Sequence, residues 1–141
     1  MDVVMKVPRT NDTWGLIHAD LRPSNVIRGD DGRLTVIDFD DAGYSWYLYD
    51  YASSLSFIEH ESYAPDLAKA WVKGYQAVAG TFTDDELHIM SALSMIRRLQ
   101  MLGWTTNHRE DALPDGLAAQ QAPGSVMCAK RYLDDPLWLL H

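Results

Sequence analysis

The chain reads as an α+β protein, a small β-hairpin piece riding on a mostly helical bundle. Three observations predict this. Short β-branched and apolar runs occupy residues 14–18, 26–28 and 34–37, all ahead of Asp38. The tetrapeptide Gly29-Asp30-Asp31-Gly32 separates the last two runs, which is hairpin chemistry. From Trp46 onward, apolar residues recur at helical intervals instead. Strands followed by helices, without alternation, suit the α+β class.

Residues 1–13 contain Pro8, Asn11 and Asp12 without sustained periodicity and are expected to be a leader or linker. Trp14 to His18 is apolar and β-compatible, and delivers a loop containing Asp20. Val26-Ile27-Arg28 and Leu34-Thr35-Val36-Ile37 form the hairpin, with Asn25 at its entrance and Asp38 at its exit. Leu48, Ala52, Leu55 and Ile58 predict a helix over 47–59; Leu67, Trp71, Gly74, Tyr75 and Val78 predict a second over 62–79. Thr83-Asp84-Asp85-Glu86 is a capping box ahead of Leu87, Met90, Leu93 and Ile96, opening a third helix that ends near Gly103. Residues 104–123, with Pro114, Gly116 and Pro123, are expected to be a long loop. A last helix over 124–140 carries Val126, Met127, Tyr132 and Leu133, and Pro136 breaks it.

With 141 residues, the chain is long enough for one hydrophobic core. The net charge of −8 argues against a nucleic-acid partner, because phosphate binding needs a basic face. An acidic surface keeps the protein soluble and would also favour a cationic substrate. The single cysteine, Cys128, excludes an internal disulfide and a multi-cysteine zinc site, and its apolar surroundings predict burial. No segment has the form of a signal peptide, and no run approaches the ~20 apolar residues of a membrane helix. The expectation is a cytoplasmic protein without membrane contact.

Chemistry concentrates in His18-Ala19-Asp20-Leu21-Arg22-Pro23-Ser24-Asn25, with Asp38 following inside Val36-Ile37-Asp38-Phe39-Asp40-Asp41. An aspartate, an asparagine five residues on and a second aspartate closing a hydrophobic run supply what Mg-dependent phosphoryl transfer requires. Asp20 takes the proton of an attacking hydroxyl; Asn25 and Asp38 offer hard oxygen ligands to Mg²⁺ between phosphates.

This pattern resembles the catalytic and metal loops of the protein-kinase-like superfamily. The kinase pattern H-R-D-L-x-x-x-N, then D-F-G, stands here as H-A-D-L-R-P-S-N and D-F-D. Those departures point to the small-molecule branch, the aminoglycoside phosphotransferase and choline or homoserine kinase type. The resemblance, specific over residues 16–55, implies a kinase-like C-terminal lobe over 14–141, with catalytic loop 18–25, metal loop 38–41 and a helical remainder over 47–140. It implies that Asp20 is catalytic and that Asn25 and Asp38 bind Mg²⁺ and ATP. Arg22 stands near the position of a phosphoryl-holding lysine in protein kinases, and either that role or a surface salt bridge fits it. His18 is expected to support the loop, and Asp50 to brace it through backbone N–H groups. Asp40 could touch a second metal or a cationic substrate, while Asp41 is expected to cap the turn at Gly43. The aromatics Tyr44, Trp46, Tyr47, Tyr49 and Tyr51 are assigned to the core ahead of a substrate-stacking role.

No G-x-G-x-x-G or strand lysine precedes the catalytic loop, and the lysines are Lys6, Lys69, Lys73 and Lys130. The expectation is a truncated catalytic lobe without its nucleotide-clamping N-lobe, which self-associates or requires a separate N-lobe chain. Its expected chemistry is ATP- and Mg-dependent phosphoryl transfer to a hydroxyl of an aminoglycoside, choline-like amine, homoserine or sugar. Two alternatives stand beside it: a non-catalytic pseudoenzyme or dimerisation module, and a haloacid-dehalogenase-like phosphatase with Asp38 as nucleophile and Asp40 as acid.

Overall fold

Two short antiparallel pairings organise the N-terminal part of the chain. The computed structural model describes residues 2–107, 113 and 115–141. After helix α1 (Asp2–Met5), strand β1 (Trp14–Ile17) leads into the loop of Asp20 and a 3₁₀ turn at Pro23–Asn25. Strands β2 (Val26–Arg28) and β3 (Leu34–Val36) then form the expected hairpin in the register Val26↔Val36. Its turn closes with Gly32 in the left-handed region at φ 78°, a conformation that glycine adopts at little cost.

Strand β4 (Gly43–Trp46) was not expected; it pairs with β1 in the register Trp14↔Trp46. The two tryptophans meet edge to face at 4.9 Å, with the Arg9 guanidinium 4.3 Å from the Trp14 ring centre. Gly15 leaves room for the Tyr47 ring, which a Cβ there would displace. The strand was hidden because its partner lies about thirty residues away and four residues carry little periodicity.

The helical part follows as α2 (Tyr49–Ser54), α3 (Ala64–Ala79), α4 (Asp84–Asn107) and α5 (Asp115–Asp134). Helix α2 is shorter than the predicted 47–59, and Phe57, at φ 73°, cannot continue a right-handed helix. The capping box forms as read: Thr83 N–H donates to Glu86 Oε2 (2.8 Å) and Glu86 N–H to Thr83 Oγ1 (3.3 Å).

The loop expected at 104–123 is corrected at both ends. Helix α4 runs through Trp104 to Asn107, and α5 already begins at Asp115 with Pro123 inside it; residues 108–112 and Pro114 lie outside the described residues. Pro123 removes a helical donor. Nearby, the Gln121 carbonyl accepts from Arg98 Nη2 of α4 (2.9 Å) and from Ser125 Oγ within α5 (2.7 Å), so one contact from α4 holds this turn from outside.

The core lies where α4 packs on α2 and α5. Tyr51, Leu55, Ala64, Ala68, Met90 and Leu139 form one buried cluster. A second contains Val4, Ala52, Ala92 and Leu93. Val4 is only 3% exposed. Residues 1–13 therefore contribute a core anchor through α1, which their composition as a leader did not suggest.

Candidate active site

The loop after β1 hangs from the N-terminal end of α2. His18 N–H donates to Asp50 Oδ2 (3.0 Å), Ala19 N–H to Asp50 Oδ1 (2.7 Å) and Leu21 N–H to Ser53 Oγ (3.0 Å). Asp50 thus braces the loop as expected, and its place in the first turn of α2 also suits the helix dipole. Buried His18 ties this loop to the next one. Asp20 N–H donates to its Nδ1 (3.3 Å), which assigns the ring proton to Nε2 for donation to the Ile37 carbonyl (2.9 Å). Both nitrogens are engaged, in keeping with a supporting rather than an acid–base role.

Asp38 follows directly, and the hairpin explains its placement. Ile37 N–H donates to the Asn25 carbonyl (3.0 Å), extending the β2–β3 ladder by one step and setting Asp38 beside the entrance of the hairpin. Asn25 is buried, and its Nδ2 donates to both the backbone oxygen (2.9 Å) and Oδ2 (3.0 Å) of Asp20. With its amide hydrogens committed, the atom left for a ligand is the Asn25 side-chain oxygen.

Asp20 is the hub. Arg97 Nη2 donates to Oδ1 (2.6 Å), while Oδ2 receives Asn25 and faces Arg22 Nε at 3.2 Å. Arg97 also donates from Nε to Ser56 Oγ (2.9 Å) and from Nη1 to the Tyr49 hydroxyl (3.3 Å). Asp20, Arg22, Asp38, Asp41, Arg97 and Trp104 line one open cleft of about 510 Å³.

Backbone strain marks the same cleft. Ala19 (φ 66°), Asp38 (φ 65°) and Phe57 (φ 73°) are the non-glycine residues with positive φ among the described residues, and all three line it. Such conformations cost of order 1–3 kcal/mol each and persist where surrounding contacts impose them.

Of the residues singled out from sequence, Asp20, Arg22 and Asp38 reach the cleft, and Asn25 backs Asp20 from behind. Arg22 does form a salt bridge, but with Asp20 rather than with a remote surface group. Asp41 is corrected: it lines the cleft and, among the described residues, makes no side-chain hydrogen bond to the turn. The aromatic group divides, with Tyr51 fully buried, Tyr44 74% exposed and Tyr49 on the cleft.

Arg97 escaped the sequence reading. Its signal was a charge on the apolar stripe Met90, Leu93, Arg97 of α4, where a core residue belongs.

Metal chemistry is compatible with these residues. Among the described residues, no three His, Cys, Asp or Glu side chains gather into an all-protein metal cage. Mg²⁺ does not require one, since it usually takes one or two protein oxygens with waters and substrate phosphates. The Asp38 carboxylate, without an intramolecular polar partner among the described residues, and the Asn25 amide oxygen suit that half-site.

The APH profile, described as the phosphotransferase enzyme family, matches residues 4–87. The chain belongs to this family. Amicoumacin kinase of Bacillus subtilis (strain 168) is 42% identical over 50 residues, covering 36% of this chain and 15% of that protein. The solved structure of the microcompartment-associated aminopropanol kinase aligns with a TM-score of 0.75 and 30% identity, covering 99% of this chain and 45% of that one. The phosphotransferase-family chain thus spans less than half the length of either relative, and has the kinase-like C-lobe fold expected from its catalytic loop. The antiparallel β2–β3 pairing and this membership leave no support for the paired-aspartate phosphatase reading.

Proposed function

We propose that the chain carries the acceptor and metal half of a small-molecule kinase site, passing the terminal phosphoryl group of ATP to a hydroxyl. The observation that carries this reading is the convergence on one strained cleft of Asp20 and an Asp38 that has no side-chain polar partner among the described residues. Asn25 and Asp38 would hold Mg²⁺, which when bound neutralises developing charge on the phosphate oxygens. Asp20 orients the acceptor hydroxyl and receives its proton as the new O–P bond forms and the bond from the terminal phosphorus to the departing ADP breaks. Arg22, beside Asp20 on the cleft, would meet phosphate oxygens.

The acceptor we favour is a small amino alcohol. Asp41 adds a negative charge to the cleft, which suits an ammonium group. The relatives' names, an aminopropanol kinase and an amicoumacin kinase, support a small-molecule acceptor. Residues 14–141 would act as a C-lobe alongside a nucleotide-clamping partner lobe, in the cytoplasm where ATP is available.

Calorimetric titration with ATP, with and without Mg²⁺, tests the reading, together with phosphoryl transfer to 1-amino-2-propanol. Weak but Mg-dependent binding and slow transfer are the expected result for the chain alone, both rising when a nucleotide-clamping lobe is supplied. A folded chain with neither would favour the non-catalytic alternative.

A further inference from the structure

We propose that Arg97 is the positioning residue that aims Asp20 at the acceptor hydroxyl, an inference that rests on the phosphotransferase reading above. The two carboxylate oxygens of Asp20 are not equivalent. Oδ2 is enclosed by Asn25 Nδ2 at 3.0 Å and Arg22 Nε at 3.2 Å. Among the described residues, Oδ1 accepts only from Arg97 Nη2, at 2.6 Å, and so keeps a lone pair for a hydroxyl proton. Arg97 therefore decides which oxygen receives the proton and from which direction.

Arg22 does not duplicate this contact. Its Nε faces Asp20 but, among the described residues, is buried without a hydrogen-bond partner of good geometry. Arg97 is only 7% exposed, so its charge is little screened by water.

Its guanidinium is itself immobilised. Nε is held by Ser56 and Nη1 by the Tyr49 hydroxyl, which in turn donates to Gln100 Oε1 at 2.9 Å. Three nitrogens of one planar fork thus bind the segment after α2, the first turn of α2 and the Asp20 loop. A lysine, with a single nitrogen, cannot reproduce that set. Through Arg97, the position of α4 is written into the angle of a carboxylate 77 residues away in sequence.

The test is a double-mutant cycle in the full chain: Arg97→Met, Asp20→Asn and the pair. Thermal unfolding, which needs no substrate, should show the two positions coupled. In Mg-ATP-dependent transfer to 1-amino-2-propanol, Arg97→Met should lower kcat about 100-fold and leave KM for Mg-ATP within about twofold. It should cost nothing further in the Asp20→Asn background, and Arg97→Lys should fall between wild type and Arg97→Met. Equal losses in both backgrounds, or additive stabilities, would overturn the inference by showing that Arg97 acts independently of Asp20. A wild-type chain that neither binds Mg-ATP nor transfers phosphate even when supplied with a nucleotide-clamping lobe overturns the phosphotransferase reading, and this result is separable from the stability cycle.

Discussion

At Asp20, Arg97 on one oxygen and Asn25 on the other leave the carboxylate little rotational freedom, while Asp38 across the cleft has no intramolecular polar partner among the described residues. Groups so differently tied should fail differently. Asp20→Ala is expected to reduce kcat by about 10²–10⁴-fold while Mg-ATP affinity is retained, because it acts on the acceptor. Asp38→Ala should instead weaken Mg-ATP binding, as read by calorimetry; equal and mild effects from both would contradict the assignment. Cys128 offers a second test at this scale. It is fully buried, and burial pushes its thiol from 9.0 up to about 11. Iodoacetamide at pH 8 should leave Cys128 unlabelled in the folded chain and label it after denaturation, as read by mass spectrometry. The folded state holds this proton more tightly than the unfolded one. Its contribution to stability is therefore complete below about pH 9 and is lost as pH rises through about 11.

Helix α4 joins the elements through neighbouring arginines that point to different places. Arg97 serves the Asp20 loop, whereas Arg98 is 1% exposed and bonds Glu59 Oε2 (2.6 Å), Ser125 Oγ (2.9 Å) and the Gln121 carbonyl. Gly124 makes room for this arrangement, since a Cβ there would stand 2.7 Å from Arg98 Nη2 and from the His60 ring. Burial pushes the Glu59 carboxyl above its ordinary range, and Arg98 opposes that shift. Arg98→Met would strand a buried carboxylate and should destabilise the fold by about 3–5 kcal/mol in denaturant unfolding. Replacing both partners, Glu59→Leu with Arg98→Met, should cost less than the single change, because no uncompensated charge remains. A larger loss from the double replacement would mean that packing, not charge, dominates this junction.

At the scale of the molecule, apolar surface is concentrated around the β1 and hairpin side. Leu16 is 66% exposed, Leu34 64% and Tyr44 74%. One apolar groove between β1 and α3 includes Leu16, Trp71 and Val78. A second, beneath the hairpin, includes Val26, Leu34 and Val36, and the two share Leu21 and Trp71. Surface of this kind promotes association. Sedimentation velocity on the chain should show concentration-dependent self-association, and Leu16→Glu with Leu34→Glu should reduce it without lowering the melting temperature. A monomer at all concentrations would show that this face needs no cover.

Features that the sequence by itself determined are those whose contacts lie within a few residues. The β2–β3 hairpin follows from one turn, the Thr83–Glu86 capping box from an i, i+3 pair, and the Asp20, Asn25 and Asp38 spacing from the hairpin that carries them. Local geometry is encoded by local residues, so these features could be read directly. Tertiary structure decided the rest. β4 exists because β1 is there to pair with it, and Val4 is buried because α4 passes beneath it. Pro123 remains inside α5 while Arg98 holds the nearby Gln121 carbonyl, and Arg97 meets Asp20 across 77 residues. Such contacts leave no period in the chain; their only trace is an exception, such as a charge on an apolar stripe. Packing alone shows what that exception is for.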